Sequence, residues 1–200
     1  MAHRPAGTVT FLGSFPSLST LPAPRLPEVA MAGRSNVGKS SAINAMLDHR
    51  VARVSRTPGR TQALNLFQIG DRLTLVDLPG YGFARVPEAV RLQWKELVEG
   101  YLGERPTLAL VVVLVDSSVP AQVLDIELID GLRAARLPFQ VVATRVDRLT
   151  KSARKPALRA LCAALGVADD ELIPLSSVTR EGVDVLWRAL EDAARVLPRR

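Results

Sequence analysis

Apolar positions along this chain fall into two rhythms, short unbroken or alternating runs and longer stretches with helical spacing. The runs EVAMAG (28–33), ALNLFQI (63–69), RLTLVDL (72–78), LALVVVLV (108–115), PFQVVAT (138–144) and ELIPLSS (171–177) read as strands. The wholly apolar LALVVVLV is the pattern of a parallel strand covered on both sides. A Gly-Asp turn at Gly70 and Asp71 joins the second and third runs. Between them, SAINAMLDH (41–49), a stretch from Pro87 and Glu88 with Val90, Trp94, Leu97, Val98 and Tyr101 on one face, and PAQVLDIELIDGLRAA (120–135) carry helical spacing. KSARKPALRALCAALG (151–166) predicts a helix interrupted at Pro156, and Val183, Leu186, Trp187 and Leu190 give a last helix its buried stripe. Residues 1–27 are rich in Pro, Ser and Thr. They predict an arm that packs on or trails the rest, with a strand at TVTFL. Residues 28–200 then form one α/β domain, a doubly wound, mostly parallel six-stranded sheet with helices on both faces.

Composition agrees and adds a direction. Two hundred residues with 48% apolar content suffice for one full core. Lys and Arg number 26 against 20 Asp and Glu, a net charge of +6. That balance suggests a polyanionic partner, nucleic acid first, beside the plainer reading of an Arg-rich chain with no target. The single Cys162 forms no internal disulfide, points to a reducing compartment, and sits at a helical spacing that reads as core filling. No signal peptide is recognised, and the longest apolar run falls well short of the ~20 residues of a membrane helix. A cytoplasmic protein with no membrane partner is expected. His3 and His49 lack metal-ligand spacing.

The chemistry begins at GRSNVGKS, Gly33 to Ser40, which fits G-x4-G-K-S between a strand and a helix. Its glycines let the backbone wrap phosphates, and its amides with the helix N-terminus supply positive potential. Lys39 would reach the β- and γ-phosphates, and the Ser40 hydroxyl would ligate Mg²⁺. DLPG, Asp77 to Gly80, closes a strand, where Asp77 can hold Mg²⁺ through water and the Gly80 amide can face the γ-phosphate. Thr61, in TPGRTQ, offers a second hydroxyl to the metal.

On these residues the chain resembles the EngB (YihA/YsxC) family of bacterial GTPases, in the TrmE–Era group of P-loop GTPases. The likeness rests on PEVAMAGRSNVGKSSAIN (Pro27 to Asn44), TPGRTQALNLF (Thr57 to Phe67) and VDLPGYGFARVP (Val76 to Pro87). It extends from FLGS in the arm to SSVTREGVDVLW near the end. The resemblance implies a P-loop GTPase domain that binds GTP and GDP with Mg²⁺ and hydrolyses GTP. It further implies a switch in assembly of the large ribosomal subunit, needed for normal cell division and septation, with the subunit precursor and its rRNA as partners and a monomeric state. The nucleotide contacts it implies are Gly33, Arg34, Ser35, Asn36, Val37, Gly38, Lys39 and Ser40 in the first loop. Gly59, Arg60, Thr61, Gln62 and Ala63 follow in the second, with Asp77, Leu78, Pro79 and Gly80 after it. The base would meet Thr144, Arg145, Val146 and Asp147, together with Ser176, Ser177 and Val178. Lys39, Asn36, Thr61 and Gly80 are the implied catalytic set, and Ser40 and Thr61 the Mg²⁺ ligands.

TRVD (144–147) stands where relatives carry N/T-K-x-D. The Asp147 carboxylate accepts two hydrogen bonds from guanine and none from adenine, whose N1 is an acceptor, so the site selects GTP. Arg145 replaces the usual Lys, and its planar guanidinium also stacks on aromatic rings. Amides of Ser176 to Val178 would face the guanine O6. After Gly80 stands Tyr81 and not a water-orienting Gln, so slow intrinsic hydrolysis is expected. Asn36 matches the residue with which relatives hold an activating K⁺, beside the reading that it only shapes its loop. Arg50, Arg53, Arg56 and Arg60 in one loop, and Arg148, Lys151, Arg154, Lys155 and Arg159 near the base reader, suit phosphate contacts on RNA. Two other readings stand: a GTP/GDP-sensing binding module for a division or signalling protein with negligible hydrolysis, and an ATPase with Asp147 idle.

Overall fold

A computed structural model of the chain describes residues 7–48, 63–81 and 88–196, with backbone alone at residues 88–91 and 94. Gly59, Arg60, Thr61, Gln62, Pro87 and the basic positions Arg50, Arg53 and Arg56 lie outside the described residues, as do the side chains of Val90 and Trp94.

Among the described residues seven strands form one sheet. In chain order they are β1 (Val9–Phe15), β2 (Glu28–Gly33), β3 (Leu64–Ile69), β4 (Leu73–Asp77), β5 (Leu108–Asp116), β6 (Phe139–Thr144) and β7 (Leu172–Pro174). They lie side by side as β1-β3-β4-β2-β5-β6-β7. Strand β2 pairs in parallel with β4 and β5, and β5–β6 and β6–β7 are parallel too. The β1–β3 and β3–β4 pairs are antiparallel. Five α-helices accompany them among the described residues: α1 (Lys39–Leu47), α2 (Glu88–Glu104), α3 (Val123–Ala134), α4 (Lys151–Leu165) and α5 (Val183–Val196).

The sheet therefore has seven strands where six were expected. The extra strand comes from the arm: β1 runs along β3 from Val9 opposite Ile69 to Phe15 opposite Leu64. A hairpin of β3 and β4 leaves the outer edge of β3 with unpaired amides and carbonyls, and the arm supplies their partners. Phe11 stacks at 5.2 Å on Phe67 across that pair while remaining 54% exposed, as an edge residue can.

Alternation along the central strands feeds two cores. Val29 and Met31 of β2, with Leu110, Val112 and Leu114 of β5, meet Ile43, Met46, Leu186, Trp187 and Leu190 from α1 and α5. Ala30, Ala32, Val111, Val113 and Val115 point the other way, to Leu97, Tyr101, Ile129, Leu132, Leu161 and Cys162 of α2, α3 and α4. Cys162 fills core space as its spacing predicted, and burial, then Asp169, push its thiol pKa up. Trp187 closes the first layer by donating its indole N–H to the Met46 carbonyl at 3.0 Å.

Pro156 does not interrupt α4, contrary to expectation. It sits near the start of the helix, so only one hydrogen bond to a preceding turn is lost. Thr150 caps that end by accepting from the Ala153 amide at 3.3 Å, and buried Leu161, Cys162 and Leu165 hold the rest. Helix α3 begins at Val123, not at Pro120, with Gln122 as its cap.

Candidate functional site

Because β2, β4, β5, β6 and β7 run the same way, the segments that follow them emerge at one edge of the sheet. In open α/β sheets the carboxyl edge is where ligands bind. GRSNVGKS follows β2, DLPG closes β4, TRVD closes β6 and Ser176 follows β7.

Gly33 has no alternative at its position, since a Cβ there would lie 2.9 Å from Val37 Cγ1 and 3.0 Å from the Leu114 carbonyl. Gly38 turns the chain at φ 101° into α1, and no side chain caps that helix. Orphan first-turn amides of such a terminus are an anion site. Lys39 is the first residue of α1, and its ammonium pairs with the Asp77 carboxylate; both are buried. Asp77 also lies within 3.5 Å of the Asn65 side-chain amide, opposite it on β3. Ser40 is half-buried at the next position. Ser40 and Asp77 are hard oxygen donors of the kind Mg²⁺ takes, and they fit that ion when phosphate oxygens complete its shell. Among the described residues no group of three or more His, Cys, Asp or Glu forms a metal site of its own.

The DLPG segment lies directly on GRSNVGKS and the strand before it. Leu78 donates to the Met31 carbonyl at 3.1 Å, and the Ser35 amide donates to the Tyr81 carbonyl at 2.9 Å. A Cβ on Gly80 would stand 3.2 Å from Ser35 Cα, so glycine permits this approach. The Tyr81 hydroxyl donates to Asp125 Oδ1 at 3.1 Å. Burial, then the Asp125 charge, holds the phenol well above the ordinary tyrosine range.

TRVD is bonded into the same loop. Thr144 Oγ1 reaches the Val37 carbonyl at 2.6 Å and the Val115 carbonyl at 3.0 Å. Arg145 adopts a left-handed conformation, φ 62°. Its guanidinium spans the carboxylate of Asp116 and the backbone carbonyl of Asn36. Asn36 is itself left-handed, φ 63°, and exposed. Asp147 is exposed and accepts the Ser176 hydroxyl at 2.6 Å. Ser176 is fully buried, and its oxygen accepts from the amides of Val178 and Thr179 at 3.2 and 3.0 Å. Its own amide donates to the Glu181 carbonyl at 3.0 Å. Of the three amides expected to face a base oxygen, those of Ser176 and Val178 are thus already engaged. The amide of Ser177 is the one with no partner among the described residues.

The structure brings together the expected Gly33 to Ser40, Asp77 to Gly80, Thr144 to Asp147 and Ser176, while Ala63 immediately precedes β3. Asp116 and Asp125 escaped the sequence reading. Asp116 ends β5 in the same Leu-Val-Asp sequence with which Asp77 ends β4, which was a readable sign. Asp125 shares a helical stripe with Ile129 and Leu132, an acid on an apolar face, and such an acid calls for partners.

Residues 28–145 match the family model described as "50S ribosome-binding GTPase". The probable GTP-binding protein EngB of Geobacter metallireducens is 45% identical over 171 residues, covering 85% of this chain and 84% of its own. That of Geotalea daltonii is 42% identical over 191 residues, covering 95% and 91%. A crystal structure of a probable GTP-binding protein engB superposes with a TM-score of 0.70 at 23% identity, over 85% of this chain and all of that one. At that identity the superposition speaks for the fold alone.

Proposed function

The chain belongs to the EngB family of GTP-binding proteins, within the ribosome-binding GTPases, and from that membership we propose that it binds GTP and GDP with Mg²⁺ at this edge, hydrolyses GTP slowly, and acts as a switch in assembly of the large ribosomal subunit. The observation that carries the reading is the joining of base reader to phosphate loop: Thr144 and Arg145 bond directly to the carbonyls of Val37 and Asn36. One rigid unit then meets both ends of a nucleotide.

Each residue has a physical task in that proposal. Lys39 leaves Asp77 to hold the β- and γ-phosphates, and Ser40, Thr61 and Asp77 hold Mg²⁺, Asp77 through water. Bound there, Mg²⁺ supplies charge neutralisation on the phosphates. Backbone amides from Gly33 to Ser40 wrap the phosphates, and residues Gly59 to Ala63 with Asp77 to Gly80 border the γ-phosphate. Asp147, steadied by Ser176, pairs with the guanine edge. Arg145, fixed at both ends of its guanidinium, lies along the base plane. The Ser177 amide serves the base oxygen.

Slow intrinsic hydrolysis follows from Tyr81. Its hydroxyl is committed to Asp125 and stays protonated, so it neither orients nor deprotonates water. Activation is then assigned to K⁺ at the exposed side chain of Asn36 or to the ribosomal particle. Net charge of +6 favours an rRNA surface, and Lys151 and Lys155 stand exposed beside the base reader. Arg154 and Arg159 are drawn off to Glu181 and Asp169. No helix among the described residues is long and apolar enough to cross a membrane. The proposal includes a cytoplasmic monomer, and the division and septation phenotype as a consequence of impaired subunit assembly.

Co-sedimentation with large ribosomal subunits tests it. Binding should be strongest with a non-hydrolysable GTP analogue, weaken with GDP, and weaken with added salt. Equal, salt-insensitive binding in both nucleotide states would sink the switch. Multiple-turnover phosphate release with and without subunits separates it from a sensing module, which would show none in either case.

A further inference from the structure

Tyr81 directly follows Gly80, and both its backbone and its hydroxyl are anchored. Its carbonyl accepts from the Ser35 amide at 2.9 Å, its backbone bridges in parallel to Arg34, and its hydroxyl donates to Asp125 Oδ1 at 3.1 Å. Asp125 lies in the first turn of α3 and is 1% exposed. The same carboxylate accepts from Arg34 Nε, 3.2 Å from Oδ1 and 3.1 Å from Oδ2. A buried carboxylate keeps its partners firmly, because losing one leaves a charge poorly satisfied away from water. Arg34 is the second residue of the phosphate loop. The cluster therefore joins that loop, α3 and the residue beside Gly80. Gly80 has little freedom of its own in this arrangement, lying against Ser35.

We propose that Arg34, Asp125 and Tyr81 form a latch that positions the Gly80 amide for the γ-phosphate and so sets the preference for triphosphate over diphosphate. The inference rests on the reading of Gly80 as the γ-phosphate contact. Tyr81 and Asp125 are positioning residues that act through Gly80, and the Arg34 side chain serves them from the phosphate loop. A donor held in place before the ligand arrives loses no freedom when it binds, whereas one on a loosened segment must be ordered first. A diphosphate presents no γ-phosphate and is indifferent to the difference. That asymmetry separates a latch from a merely structural cluster, whose loss would weaken both nucleotides together.

The test is equilibrium binding of GDP and of a non-hydrolysable GTP analogue, with Mg²⁺, to the full chain. Tyr81→Phe removes only the hydroxyl and should weaken the analogue about fivefold or more, with GDP affinity held within about twofold. Asp125→Asn should give the same selective loss, and the double variant no more than the larger single one. Equal losses for both nucleotides, or an unchanged ratio in Tyr81→Phe, would overturn the latch. If Asp125→Asn fails to fold, Tyr81→Phe decides alone, with its melting curve as the check. Gly80→Ala distinguishes the two levels. Selective loss there with none in Tyr81→Phe rejects the latch only, while an unchanged affinity for the analogue in Gly80→Ala, despite the Cβ pressed against Ser35, rejects the Gly80 reading beneath it.

Discussion

Among the described residues Asp147 is held through one oxygen, by the Ser176 hydroxyl at 2.6 Å. That leaves the exposed remainder of the carboxylate to accept from a base edge. In Asp147→Asn the amide places a donor where guanine offers donors, so one hydrogen bond to a charged acceptor is lost and a repulsive pair replaces it. GTP affinity should fall roughly tenfold to a hundredfold, with no gain for ATP. Nucleotide competition measures this, and retained GTP affinity with ATP still excluded would remove Asp147 from the role. Arg145 was legible as a departure from Lys, but its consequence was not. What decides it is Asp116, which lies 29 positions earlier and becomes its neighbour only because β5 and β6 are parallel, Asp116 opposite Thr144. An isolated Lys would place one point charge there. The guanidinium answers Asp116 and the Asn36 carbonyl at once.

Between elements, polar clusters set positions that apolar packing alone leaves loose. Glu28 opens β2 and is 2% exposed, yet it accepts from Tyr101 Oη at 2.8 Å, in the last turn of α2, and from Arg105 Nη2 at 2.7 Å, just after it. Arg105 also donates to the Pro22 carbonyl at 3.0 Å, which ties down the arm. Arg105→Ala should cost about 3–5 kcal/mol in denaturant unfolding, since it strands a buried carboxylate. A loss below about 1 kcal/mol, the range of exposed ion pairs, would mean water reaches Glu28. Helix α4 gives a prediction of opposite sign. Pro156 removes one backbone donor and crowds the preceding turn, while its ring restrains the unfolded chain. Pro156→Ala should therefore raise the unfolding free energy by about 1–2 kcal/mol. No gain would show that the turn already absorbs the ring without strain.

Over the whole molecule, hydrophobic rhythm was enough to read a doubly wound domain, because each central strand sends alternate residues to opposite layers, as Val29 and Ala30 do. It did not reveal that the arm completes the sheet. Val9–Phe15 is only partly buried, so its apolar signal is weak, and its pairing is decided by the open edge of β3. Motif spacing likewise picked out GRSNVGKS, DLPG and TRVD, the segments that the fold brings to one edge of the sheet, since each is local in sequence. Asp116 and Asp125 act through contacts distant in sequence, and no local pattern names their partners. These long-range contacts also decide how the chain behaves without nucleotide. Lys39 and Asp77 satisfy each other when buried, so neither stands as a lone charge, and the chain should fold without nucleotide. Binding then adds to that stability by mass action. At a hundredfold excess over its Kd, GDP with Mg²⁺ should contribute about 2.7 kcal/mol, a rise in melting temperature of roughly 5–10 °C for a domain of this length. ATP at the same concentration should leave the melting temperature unchanged. Chelating Mg²⁺ should shrink the GDP shift, because Asp77 loses Lys39 to the phosphates and then has no cation in its place. Equal shifts from ATP and GDP would refute base reading by Asp147, and a GDP shift indifferent to chelation would refute the role of Asp77 toward Mg²⁺.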